Sequence, residues 1–386
     1  MSTTATLSGL RIAVLLEQGT NPLEYHYCRL RLVEAGAEVT VVGNERLVYD
    51  LEDHSTARAD AVISDVRSVS FDGVVIPGGL GPEKLRRNPA IVGLVRDCHE
   101  RGRVCAGICH GQQVMISAGF MSGRRATSAW SMLDDLRAVG AKCDPVERAV
   151  RDENVITAIF PTDLPSFWQF VLQAFAEIEH RELPPGYPDR LRGKRLAIVI
   201  DGASDSVQTS YLSYRVEEEG GHAVLVGRKA GDTLSLAAPP WEWGEHGVRM
   251  TTSAALPNLR VVGSCDDEAE VNSHAVAADE LDGILLPGGL GTWMIRGHPG
   301  LHQLVREMLA AGKPVGAIGR GPKILLSAGV LEERTVTSAP QMRDDLCYAG
   351  INVDDAPLVR DGNLLTARDT EQLPAFVGAM VHMLVE

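Results

Sequence analysis

Short apolar runs alternate along the chain with longer stretches in which apolar residues recur at helical spacing. Arg11-Ile-Ala-Val-Leu-Leu16 and Glu38-Val-Thr-Val-Val42 read as buried strands. Between them Asn21-Pro22 supplies an N-cap and a first-turn proline. Leu23, Tyr27, Leu30 and Val33 then fall at i, i+4, i+7 and i+10, which is one face of a helix. Asp72–Ile76 reads as the next strand, and Asn88-Pro89 opens a helix running to about Arg101. Val104–Ile108 is a further strand, followed by a helix from about His110. This alternation predicts an α/β fold built on a mostly parallel sheet covered by helices on both faces. Reactive groups in such sheets gather at the carboxyl ends of the strands.

The pattern occurs twice. Phe71-Asp-Gly-Val-Val-Ile-Pro-Gly-Gly-Leu-Gly81 returns as Leu281-Asp-Gly-Ile-Leu-Leu-Pro-Gly-Gly-Leu-Gly291, an offset of 210. The same offset relates Ala126-Thr-Ser-Ala129 to Val336-Thr-Ser-Ala339. Nearer the two starts, Val39-Thr-Val-Val-Gly43 matches Ala223-Val-Leu-Val-Gly227 at an offset of 184. The second copy therefore carries a net insertion of 26 residues within 228–280, a stretch that includes Pro239-Pro-Trp-Glu-Trp243. The expected organisation is a first domain over 1–183, a proline-rich linker over 184–193 and a second domain over 194–386.

Charge narrows the possible partners. The 386 residues hold 37 Lys+Arg against 51 Asp+Glu, a net charge of −14, which opposes binding to nucleic acid or to an anionic membrane surface. The first ten residues lack the basic and apolar segments of a signal peptide, and the apolar runs are strand-sized, so a cytoplasmic protein is expected. Seven cysteines without regular spacing do not form a disulfide framework and read as reduced thiols.

One of them stands in a distinctive setting. Gly107-Ile-Cys109-His110-Gly111 follows a strand and precedes a helical run, the nucleophile-elbow pattern with cysteine in the serine slot. A helix N-terminus beside the sulfur favours thiolate, and His110 is the neighbouring acid–base candidate. Pro77-Gly78-Gly79-Leu80-Gly81 ends the adjacent strand, so the amides of Gly79 and His110 can form an oxyanion hole. Glu24, in the first turn of its helix, either shares a proton with the thiol or merely complements the helix dipole. Cys98, His99 and Cys105 invite a metal reading, but a helix and a strand separate them and the ligands would not converge; no metal is expected. Walker and dinucleotide-binding glycine patterns are absent.

The second copy changes all three candidate catalytic positions. Cys109 becomes Gly319, His110 becomes Arg320 and Glu24 becomes Gln208, while the Pro-Gly-Gly turn persists. Coordinated loss is what one site would undergo, so the second half is expected to be a degenerate, supporting domain.

Glu24, Pro77-Gly-Gly79, Ala106-Gly-Ile-Cys-His-Gly-Gln112 and Ser117-Ala-Gly119 together resemble the ThiJ/PfpI superfamily of class I glutamine-amidotransferase-like proteins. The resemblance covers each copy and implies two tandem flavodoxin-like domains. The tandem layout with Cys109-His-Gly-Gln-Gln113 is most similar to plant-type glyoxalase III members. It implies Cys109 as nucleophile, Glu24 and His110 as proton carriers, Gly79 and His110 at the oxyanion site, and no cofactor. Trp130, Ile159 and Phe160 fall where relatives carry pocket residues. The activity so implied converts a 2-oxoaldehyde to a 2-hydroxy acid through a Cys109 hemithioacetal. The family's other members leave open a hydratase or hydrolase of another small electrophile (isocyanide hydratase-like, amidase or cysteine peptidase) and a redox sensor or chaperone. The expected partner is a small-molecule substrate; homo-oligomerisation and intramolecular pairing of the two domains stay open.

Overall fold

The computed structural model describes residues 6–144, 146–237, 248–257 and 275–386. The chain divides into two compact units, Met1–Pro188 and Asp189–Glu386. Residues at the start of the second unit are tied into it: Arg190 Nε lies 2.7 Å from Glu219 Oε2, and the Leu191 amide donates to the Glu219 carbonyl. The latter part of the proline-rich 184–193 segment thus belongs to the second unit.

In the first unit the sheet strands are β1 (Arg11–Leu16), β2 (Glu38–Gly43), β3 (Ala61–Val62), β4 (Gly73–Ile76), β5 (Val104–Ile108), β6 (Ala149–Asp152) and β7 (Val155–Ala158). Their order is β3-β2-β1-β4-β5-β7-β6, parallel throughout except for the β6–β7 pair. The chain winds outward from β1 and returns to β4 on its other side. The strand order therefore reverses at β1/β4, and a crevice opens at their carboxyl ends.

Four longer helices cover the sheet: α1 (Pro22–Glu34), α2 (Pro89–Glu100), α3 (Gln112–Ala118) and α4 (Leu164–Ile178). One core gathers Ala13, Leu15, Val74, Ile76 and Cys105 from the strands with Leu94, Val95 and Cys98 of α2 and Val114, Met115 and Ala118 of α3. Alternate strand positions face the other way, as the two-residue period of a strand requires. There the ring of Phe175 on α4 fills the space above Gly73. On α1, Leu23, Tyr27 and Leu30 are buried as the periodicity predicts, whereas Val33 is 42% exposed because it falls in the last turn, beyond the covered stripe. Asn21 caps α1, its side chain accepting from the Glu24 amide at 3.2 Å.

The second unit repeats this plan with β8 (Arg195–Val199), β9 (His222–Gly227), β10 (Ala254–Ala255), β11 (Gly283–Leu286), β12 (Val315–Ile318), β13 (Leu358–Asp361) and β14 (Leu364–Ala367). The order is β10-β9-β8-β11-β12-β14-β13, the same permutation, again with only the last pair antiparallel. Its longer helices are α5 (Ser206–Glu218), α6 (Pro299–Ala310), α7 (Pro322–Ser327) and α8 (Leu373–Val385). Each unit is therefore a flavodoxin-like α/β domain. The offset of 210 holds to β12 but becomes 209 at β13 and β14, so one residue is lost between them. Within 228–280 an antiparallel ribbon, Thr233–Ser235 against Arg249–Thr251, repeats the Val48–Asp50 and Thr56–Arg58 ribbon of the first unit; Pro239–Trp243 and Cys265 lie outside the described residues. Among the described residues no helix is long and apolar enough to cross a membrane.

Candidate active site

β5 ends in a turn that only particular residues allow. Cys109 adopts φ +61°, a left-handed conformation that a side chain occupies at a cost and that marks a constrained site. Gly111 must be glycine, because a Cβ there would stand 2.2 Å from the Ile76 carbonyl oxygen of β4. Buried Gln112 braces the turn, its Nε2 donating to the carbonyls of Gly107, Thr127 and Ala158 at 3.1, 2.9 and 3.0 Å. The backbone of β5 is thereby fastened to β7 and to the loop that follows α3.

Glu24 is not a solvated first-turn carboxylate: it is fully buried, and its Oε2 accepts from the Gly78 amide at 2.6 Å. Its other oxygen, Oε1, is buried without a well-formed hydrogen bond, and the thiol of Cys109 is the side-chain group that interacts with this carboxyl. Gly78 lies between the two, since a Cβ there would stand 2.6 Å from Cys109 Cβ and 2.8 Å from Glu24 Oε2. Burial pushes the Glu24 carboxyl up to about 8, against the pull of the Gly78 N–H, and the charge of Glu52 raises it further.

The sulfur sits under two backbone donors, the N–H groups of Gly79 and His110, both of which stabilise its anion. These are the two amides expected at the oxyanion position. They do not prevail. Burial, then the Glu24 charge, push the Cys109 thiol up to about 12. The expectation of a resting thiolate at a helix N-terminus is corrected accordingly: α3 begins only at Gln112, and desolvation outweighs what its seven residues and the two amides supply. Below about pH 8 the resting pair is a protonated carboxyl beside a thiol; once Glu24 ionises, the thiol stands next to a carboxylate able to take its proton.

His110 lies at the mouth of the site. Its Nδ1 is 3.4 Å from Cys109 Sγ and its Nε2 is 3.2 Å from Ser131 Oγ. The segment carrying Ser131 is held against the elbow by the Ala129 amide, which donates to the Cys109 carbonyl at 3.2 Å. Trp130, on the same segment, is 65% exposed and meets the Phe160 ring edge-on at 5.0 Å. Ile159 is 1% exposed and offers no surface to a ligand, so of the three expected pocket residues only Trp130 and Phe160 form an accessible aromatic rim.

Sequence reasoning did not single out Ser131, or Glu52, whose charge raises both Glu24 and Cys109. Neither stands in a motif. Gln112 stands in the motif directly after Cys109-His-Gly, but its bracing contacts reach carbonyls as far as Ala158, 46 residues along the chain.

The second unit keeps the frame of the site without its chemistry. Gln208 repeats the Glu24 contact, its Oε1 accepting from the Gly288 amide at 2.7 Å, while its Nε2 donates to Thr370 Oγ1 at 3.0 Å. Gly319 retains the left-handed turn at φ +63°. The Arg320 guanidinium lies over the Trp293 ring, 5.1 Å from its centroid.

Cys28, Cys98 and Cys105 are buried and held as thiols by that burial, and the His99 ring stacks on Phe120 at 4.0 Å. Among the described residues no group of His, Cys, Asp or Glu is arranged to hold a metal ion.

Known proteins resemble the chain in both halves. An uncharacterized protein of Archaeoglobus fulgidus is 40% identical over 158 residues, which cover 41% of this chain and 94% of that protein. Protein DJ-1 homolog D of Arabidopsis thaliana is 27% identical over 333 residues, 84% of this chain and 80% of its own. A deglycase of Thermococcus kodakarensis is 34% identical over 155 residues, 40% of this chain and 93% of its own. The family model described as DJ-1/PfpI matches residues 10–174 and again 194–383, and the chain belongs to the DJ-1/PfpI family.

Proposed function

We propose that the first unit is a cofactor-independent cysteine enzyme that isomerises and hydrolyses a small 2-oxoaldehyde to a 2-hydroxy acid, a glyoxalase III-type reaction. The observation that carries this reading is the fully buried Glu24 carboxyl, held by the Gly78 amide at 2.6 Å beside the Cys109 thiol and pushed by that burial up to about 8. A carboxyl raised so far exchanges a proton near neutral pH, which is the property the reaction demands of its base.

Glu24 takes the thiol proton as the sulfur of Cys109 adds to the aldehyde carbon, forming a C–S bond and a hemithioacetal. The oxygen that gains negative charge is stabilised by the N–H groups of Gly79 and His110. Loss of the proton on the former aldehyde carbon gives an enediol, and reprotonation at the neighbouring carbon gives a 2-hydroxy thioester. His110, accessible and 3.4 Å from the sulfur, is the group suited to carry that proton. Water then cleaves the C–S bond, releasing the 2-hydroxy acid and restoring the thiol. One carbon is oxidised as its neighbour is reduced, so no external electron acceptor is required.

A second reading has its own support. The relative from Thermococcus kodakarensis is named a deglycase, and the same thiol and proton carriers suit the removal of a carbonyl compound from an amine or thiol adduct. Conversion of methylglyoxal to lactate tests the proposal: turnover is expected in the wild type, lost in Cys109→Ser, and unchanged within about twofold in Arg320→Ala. Turnover that survives Cys109→Ser overturns it. Turnover of preformed adducts alone, with none of free methylglyoxal, selects the deglycase reading.

A further inference from the structure

A carboxylate that no part of the proposed reaction uses stands at the turn carrying the oxyanion donor. The Glu52 amide donates to the Thr20 carbonyl, and Thr20 is itself bridged to Gly79. Asn21 Nδ2 donates to Glu52 Oε2 at 3.0 Å, which fixes the carboxylate beside the cap of α1. Its other oxygen, Oε1, lies 2.9 Å from the position a Cβ on Gly79 would occupy. Gly79 thus has its amide on the sulfur of Cys109 and its open side on Glu52. The donor on Glu52 Oε2 is the neutral amide of Asn21, which leaves the charge of the carboxylate in place. Glu52 is exposed, whereas Cys109 is 8% exposed and Glu24 fully buried, and the Glu52 charge reaches both of them, raising each.

We propose that Glu52 is a charge filter for the Cys109 site, admitting neutral or cationic electrophiles and disfavouring those that carry a carboxylate. Two like charges a few ångströms apart at the rim of a protein repel by an amount worth about three- to tenfold in rate, and less as salt is added. The substrate class that follows is an uncharged 2-oxoaldehyde, or a carbonyl adduct on a basic group, in preference to a 2-oxo acid aldehyde such as glyoxylate. The inference rests on Cys109 being the reactive nucleophile but not on which reaction it catalyses.

Alkylation of Cys109 by iodoacetamide and by iodoacetate tests it without any turnover. Each reagent forms an S–C bond and releases iodide, the thiol proton passing to Glu24 or to water, and the two differ in charge. Peptide mapping by mass spectrometry gives the two rate constants at Cys109 in the full-length protein. Their ratio cancels any change in the nucleophile itself. Glu52→Gln, which keeps an acceptor for Asn21, is expected to raise the iodoacetate-to-iodoacetamide ratio about three- to tenfold. Glu52→Asp is expected to keep the wild-type ratio, and about 0.5 M salt, roughly three times physiological strength, to shrink the difference between wild type and Glu52→Gln. An equal ratio in wild type and Glu52→Gln overturns the proposal even if methylglyoxal is turned over. A raised ratio stands even if methylglyoxal is not.

Discussion

Glu24 is held where its charge is costly, and Gln208 shows what that position looks like without the charge. Both side chains accept from a glycine amide, Gly78 at 2.6 Å and Gly288 at 2.7 Å, so glutamine is sterically suited to the site. The carboxyl binds its proton more tightly in the fold, at about 8, than at its ordinary 4.5. Between those two values the folded chain holds more protons than the unfolded one, so stability falls as pH rises through that window and levels off above it. Glu24→Gln is expected to remove this slope. Chemical denaturation at about pH 5 and about pH 9 should show the wild type losing about 2–4 kcal/mol more than the variant. Equal losses would mean that Glu24 is not neutral in the fold. The raised carboxyl could not be read from the sequence, because it depends on burial beneath Gly78, 54 residues away along the chain.

At the scale of elements, the sequence pattern foretold those parts whose causes are local. Arg11–Leu16 and Val104–Ile108 are strands with the bounds predicted, and the Asn21 and Asn88 caps open their helices where expected. The helix after the elbow begins at Gln112 rather than His110, because the left-handed Cys109 and the tight contact at Gly111 fall before it. The elbow, the Gly-Gly turn and the first turn of α1 meet because the strand order reverses at β1/β4, a property of the whole sheet that no single motif carries. The brace of this arrangement is Gln112. Gln112→Ala removes three hydrogen bonds to buried carbonyls. It is expected to cost about 2–4 kcal/mol in urea unfolding and to slow Cys109 alkylation at temperatures where the variant remains folded. A variant that is destabilised but alkylates at the wild-type rate would make Gln112 a brace of the core and not of the site.

Across the whole molecule, one architecture is used twice with different contents. The two sheets share their strand permutation and both retain the left-handed elbow, yet one elbow carries Cys109 and the other Gly319. The duplication was legible because its signals are short and identical, Pro-Gly-Gly-Leu-Gly in each copy. The loss of one residue between β12 and β13 shows only in a weaker match, Arg151-Asp-Glu-Asn-Val-Ile-Thr-Ala158 to Arg360-Asp-Gly-Asn-Leu-Leu-Thr-Ala367 at an offset of 209. What sets the first unit apart is a thiol beside a buried carboxyl, and the proposal is that this carboxyl governs its reactivity. The pH dependence of iodoacetamide alkylation at Cys109, compared in the wild type and Glu24→Gln, tests this most directly. In the wild type the rate should rise with a midpoint near pH 8, as Glu24 ionises and becomes able to accept the thiol proton. In Glu24→Gln that step should vanish, leaving a rise only at more alkaline pH. The same midpoint in both proteins would contradict the account.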